Sequence, residues 1–160
     1  MKRKFVQTAL VIAIAALCLS FAPAVYAAQT CSTAKAAGTW EFSLDGVLLV
    51  PNPVPGAAAG RVSIDTAGNI SGTEARNVGG GFANETITGS LTVNSDCTGS
   101  FAVNIYESGV LVRVSVVAVV LYDNSNKIRG VQQSLTLPDG TNIPVVISLE
   151  ANRLFPEDGD

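Results

Sequence analysis

Thr86-Ile87-Thr88-Gly89-Ser90-Leu91-Thr92-Val93-Asn94 is followed by Ser95-Asp96-Cys97-Thr98-Gly99 and then by Ser100-Phe101-Ala102-Val103-Asn104-Ile105-Tyr106. In the first run Ile87, Leu91 and Val93 alternate with Thr86, Thr88, Ser90, Thr92 and Asn94. In the second, Phe101, Val103 and Ile105 alternate with Ser100, Asn104 and Tyr106. Period two sends successive side chains to opposite faces, so each run has one apolar and one wet face. The short polar link between them fits a hairpin, and one wet face is antiparallel behaviour.

The same pattern extends in both directions. Trp40, Phe42 and Leu44 alternate with Thr39, Glu41, Ser43 and Asp45; Val62 and Ile64 alternate with Arg61, Ser63 and Asp65. Ile143, Val145, Ile147 and Leu149 share a face near the C-terminus. Turn signals stand between the runs: Thr66-Ala67-Gly68-Asn69, Ser108-Gly109, Asp123-Asn124-Ser125-Asn126 and Asp139-Gly140. This spacing predicts eight strands, at 39–49, 57–66, 69–77, 85–94, 98–107, 110–122, 127–137 and 142–154. Short links make sequence neighbours pair. Eight antiparallel strands leave two bare edges unless the sheet closes, so the expected fold is all-β, an up-and-down barrel. A two-sheet β-sandwich is the alternative. Ser32 is expected to cap a short N-terminal helix over 33–37 that Gly38 ends. The loops 51–56, rich in proline, and 79–81, all glycine, read as connectors, with a lid at a barrel mouth as the functional alternative.

Ahead of this pattern lies an address. Lys2, Arg3 and Lys4 precede an apolar run from Phe5 to Phe21, Pro23 breaks it, and Val25-Tyr26-Ala27 offers small residues for cleavage after Ala27. Residues 1–27 therefore read as a signal peptide, 28–155 as one barrel domain and 156–160 as an acidic tail. An exported chain ends in the periplasm or outside the cell.

The 160 residues are 48% hydrophobic and 14% charged, against a usual charged share of about 25%. That excludes a disordered tail or a coiled coil. Loss of the leader leaves seven basic and thirteen acidic side chains, a net charge of -6. Nucleic acid and anionic lipid surfaces are poor partners for that balance. The remaining chain has no apolar run of about 20 residues, so no helical membrane span is expected after cleavage.

Two cysteines stay with the domain, Cys31 and Cys97. In an oxidising compartment such a pair is normally bridged. Asp96 beside Cys97 argues against a reactive thiol.

Several stretches resemble a group of small secreted bacterial proteins. Gly38-Thr39-Trp40-Glu41-Phe42 resembles their opening strand, and Gly60-Arg61-Val62-Ser63-Ile64-Asp65 with Gly68-Asn69-Ile70-Ser71-Gly72 resembles their next hairpin. Asp96-Cys97-Thr98-Gly99-Ser100 resembles their cysteine turn. Their barrel is similar to calycin and allene oxide cyclase-like barrels. The resemblance covers roughly 31–153 and implies the fold and the Cys31–Cys97 bridge. It matches no catalytic residue.

Chemistry is sparse. With no histidine, Ser-His-Asp and Cys-His nucleophiles and histidine-ligated zinc are excluded. There is no Gly-x-Ser-x-Gly elbow and no phosphate loop. Asp123-Asn124-Ser125-Asn126 lacks the glycine and terminal glutamate of a calcium loop, so no metal or other cofactor is expected.

The polar residues sharing parity with apolar faces are Glu85, Arg113, Arg129 and Gln133. Inside a barrel they form an anchor for a carboxylate or hydroxyl ligand; at strand ends they merely reach water. Glu74 and Arg76 read as solvated near a strand end, and Trp40 reads as a plug over the bottom of the core. The run 110–122 is apolar on both faces, so its outer face needs a cover. The N-terminal helix or a symmetric copy supplies one, with Val112, Val114, Val116 and Val120 as interface candidates.

Three functions follow as expectations. The first is an exported barrel that binds a small apolar or amphipathic molecule. The second is an interaction module assembling through 110–122 into a homo-oligomer. The third is a histidine-free isomerase or cyclase that needs Glu85, Arg113 and Arg129 to converge inside.

Overall fold

A computed structural model describes residues 30–155. The expected signal peptide and acidic tail lie outside the described residues. Eight strands run β1 Gly38–Leu48, β2 Val54–Ile64, β3 Asn69–Val78, β4 Gly81–Val93, β5 Thr98–Glu107, β6 Val110–Tyr122, β7 Lys127–Thr136 and β8 Val145–Arg153. They close in sequence order into one barrel, every neighbour antiparallel, with β8 returning to β1 through Leu44 opposite Leu149. Closure removes the bare edges that a sandwich would keep.

The boundaries depart from the sequence reading mainly at hairpins. β3 and β4 extend to a two-residue link, Gly79-Gly80, with φ of 57° and 90°. Glycine takes that left-handed backbone without a side-chain clash, so the glycine run makes a tight turn. The expected N-terminal helix is instead a single 3-10 turn, Ala34–Ala36. Five residues make too few internal hydrogen bonds to offset the ordering of a helix.

One end of the barrel is sealed. Trp40 has no exposed surface, and its indole Nε1 donates to the Ala36 carbonyl at 2.9 Å. Arg153 lies over the Trp40 ring at 4.8 Å and donates to the carbonyls of Lys35, Ala37 and Ser125. The Val93 amide donates to Thr33 Oγ1 at 3.0 Å. The Cys31–Cys97 disulfide ties this segment to the β4–β5 turn across 66 residues. A loop of that length confers about 4 kcal/mol by chain entropy. The 3-10 turn is thus spent on the plug and does not cover the outer wall of β6, as the sequence reading allowed; Val120 stands 49% exposed. Above the plug the core is aliphatic, with Ile64, Leu91, Leu121 and Ile128 nearly inaccessible.

Candidate functional site

The opposite end is reached by the β1–β2, β3–β4, β5–β6 and β7–β8 links and is open. A cavity of about 270 Å³ occupies it, walled by Leu44, Leu48, Val50, Leu135, Ile143 and Ile147 among others. Room comes from β2, whose inward positions there are Gly56 and Ala58. Deeper in the barrel only about 60 Å³ remains open, between Phe42, Ile87, Phe101 and their neighbours. The molecule is therefore packed at one end and hollow at the other. The Leu49 amide donates to the Pro144 carbonyl at 2.8 Å, joining the proline loop to the β7–β8 link at the rim.

Charged side chains line the inner wall of this cavity. Glu74 on β3 and Glu85 on β4 are directly opposed, and both are buried. Arg113 on β6 reaches across to both. Its Nη1 donates to Glu85 Oε1 at 2.6 Å, and its Nη2 to Glu85 Oε2 at 2.5 Å and to Glu74 Oε1 at 2.8 Å. Arg76 Nε adds a bond to Glu85 Oε1 at 3.0 Å. Two opposed carboxylates repel, and burial makes each charge costly, so the arginines are what make the pair tenable.

The two carboxyls are not equivalent. Burial pushes Glu74 up to about 7, against the pull of Arg113, with its bond to Glu85 adding to the rise. Burial also acts to raise Glu85, but the bonds and charge of Arg113, with Glu74 and Arg76, outweigh it and hold Glu85 at about 2. Glu85 keeps the charge; Glu74 keeps a proton until near neutrality and shares it with Glu85.

Of the four sequence candidates, the structure brings Glu85 and Arg113 together inside the barrel. Arg129 and Gln133 point out. The Arg129 side chain is 68% exposed, pairs with Glu150 at 3.3 Å and lies over the Tyr122 ring. Gln133 is exposed, whereas Gln132 lines the cavity. The reason is a bulge: Val116 pairs with Ser134 but Val117 with Gln132, leaving Gln133 as the extra residue. One extra residue inverts parity, so Leu135 and Leu137 face in while Arg129 and Val131 face out. The convergence of Glu85, Arg113 and Arg129 that an isomerase or cyclase needed does not form.

Glu74 and Arg76 are the residues that sequence reasoning missed. They read as solvated because the expected strands end at 77 and resume only at 85, which puts both residues near a strand end. The signal was the glycine pair: a two-residue turn at Gly79-Gly80 sets Glu74 opposite Glu85 automatically. On the outer wall, Val114 and Val116 are half-buried and Val120 is exposed, while Val112 packs against the core. A second bulge explains Val112, since Ile105 pairs with Arg113 but Tyr106 with Leu111. No cluster of three potential metal ligands occurs among the described residues. No family model matches the chain, nor does any of the curated proteins compared with it.

Proposed function

We propose that this chain is an exported barrel, related to the calycin-like group, that binds a small apolar or amphipathic molecule in its open end. The observation that carries this reading is the asymmetry of the interior: a 270 Å³ apolar cavity at an unplugged mouth, with a charged cluster on its wall. A mouth of this kind removes an alkyl chain from water while a polar end meets fixed charges. At roughly 30 Å³ per non-hydrogen atom the cavity takes about nine atoms. The disulfide accords with export to an oxidising compartment.

Titration calorimetry with 1-octanol tests this. A dissociation constant on the order of 0.1 mM is expected for a ligand of that size. Ala58→Leu, which fills the space left by a small wall residue, weakens binding at least about tenfold. Absence of heat, or heat that Ala58→Leu leaves unchanged, defeats the reading.

The second reading is a module that assembles through β6, and the observation favouring it is the outer wall. Val120 and Val131 are 49% and 61% exposed beside half-buried Val114 and Val116. Sedimentation velocity decides it: a dimer that Val116→Lys with Val120→Lys converts to a folded monomer supports it, and a monomer at every concentration ends it.

A further inference from the structure

The arginines of the cluster are used unequally. Arg113 spends both terminal nitrogens on Glu74 and Glu85. Arg76 gives only Nε to Glu85. Its Nη1 has no hydrogen-bond partner among the described residues, and its Nη2 approaches only the half-exposed Glu107 carboxylate, at 3.9 Å. Arg76 lines the mouth cavity, and its side chain is 24% exposed. A planar guanidinium with one amino group unused and the other held only by a long ion pair is a fork for a carboxylate, sulfate or similar anion.

We propose that the mouth cavity receives an amphiphile with a single anionic head, the head resting on the terminal amino groups of Arg76 beside Glu74. This rests on the ligand-binding reading above and names the head that the tail carries. The charge balance supports it. Arg76 and Arg113 bring two positive charges to the cluster, Glu85, held by three guanidinium bonds, returns one negative charge, and the half-exposed Glu107, 3.9 Å from Arg76, returns a second that solvent screens. Glu74 decides the remainder. Protonated, it leaves the buried group of Arg76, Arg113, Glu74 and Glu85 with one net positive charge, which the solvent-screened Glu107 offsets only in part, and a place for one anion; ionised, it cancels that charge.

The groups acting on Glu74 are few. Glu85 faces it from β4 and Arg113 from β6, Arg76 is two residues along β3, and Glu107 of β5 stands behind Arg76. Gly60 opposes it on β2, and the other cavity neighbours, Leu44, Ser115, Gln132 and Ile147, do not titrate in this range. Glu74 loses its proton near pH 7, so anion affinity falls as pH rises through neutrality. By linkage, the anion raises the proton affinity of Glu74, and binding takes up a proton.

Calorimetry on the intact mature protein with 1-octanesulfonate and 1-octanol tests this. The sulfonate stays anionic throughout, and the two share a tail. The sulfonate is expected to bind about tenfold more tightly at pH 5.5 than at pH 8.5, while octanol changes little. Repeating the sulfonate titration at pH 7.5 in two buffers of different ionisation enthalpy shows net proton uptake of up to about one. Arg76→Gln lowers the sulfonate-to-octanol affinity ratio, and Glu74→Gln flattens the sulfonate pH profile. Octanol binding with no sulfonate preference at pH 5.5, or with no proton uptake, overturns the inference and leaves the binding function standing. Failure of both ligands ends the binding function and this inference with it.

Discussion

At the sealed end of the barrel, Trp40 is wholly buried, bonded to Ala36 and covered by Arg153. At the open end Val50 and Leu49 stand 38% and 43% exposed around a 270 Å³ cavity, and two carboxyls, Glu74 and Glu85, are buried. The strands that build both ends are the same strands. What differs is which residues they carry inward. β1 brings Trp40 and Phe42 to the sealed half and Gly46 and Leu48 to the mouth; β3 brings Ile70 and Gly72 to one half, and Glu74 and Arg76 to the other. Stability is concentrated where aromatic and aliphatic surface is buried. The proposed function lies where burial is incomplete and charge is held at a cost.

The sharpest way to break this comparison is at the plug. Trp40→Ala removes the largest buried side chain, strands the Ala36 carbonyl and uncovers Arg153. A loss of about 5 kcal/mol in urea-unfolding free energy is expected, at the upper end for an aromatic truncated to alanine. A loss below about 1 kcal/mol shows that the plug is not where the stability lies.

A smaller effect sharpens the other half. Glu74 has its folded pKa raised to about 7 and Glu85 has its lowered to about 2, against ordinary values of 4.5. Between pH 2 and 4.5 the unfolded chain holds more protons at Glu85, so stability rises with pH. Between pH 4.5 and 7 the folded chain holds more protons at Glu74, so stability falls as pH rises. The pair thus contributes a maximum near pH 4.5, with a decline on the order of 2 kcal/mol towards pH 8. Urea unfolding across that range measures it, and Glu74→Gln removes the decline on the alkaline side. A flat profile in the unmodified chain means the two ends do not differ in this way.

The alternation around Ile87, Leu91, Phe101 and Ile105 was legible because each of those residues has one apolar environment and a short turn nearby. Glu85 and Arg113 were legible for the same reason, since no bulge separates them from the inward residues used to judge their parity. Arg129 and Gln133 were not. They share sequence parity with Val131, Leu135 and Leu137, but the extra residue at Gln133 turns Val131 outward while Leu135 and Leu137 face in. A bulge leaves no compositional mark in this stretch, because its cause is the coiling demanded by closure, not a residue type. Glu74 was hidden differently: its burial depends on Arg113, which lies 39 residues away and three strands around the barrel.

The sequence by itself determined the all-β class, the number and order of strands, the pairing of neighbours and the Trp40 plug. These follow from period-two patterning, turn chemistry and the size of an indole, all of them local. It also carried the expectation of a bridge that Cys31 and Cys97 make in the folded chain. Only the tertiary structure decided which carboxylate keeps its proton, which arginine is left with unused donors and which end of the barrel stays open. Those outcomes depend on distances between strands distant in sequence, and burial and charge act through space, not along the chain.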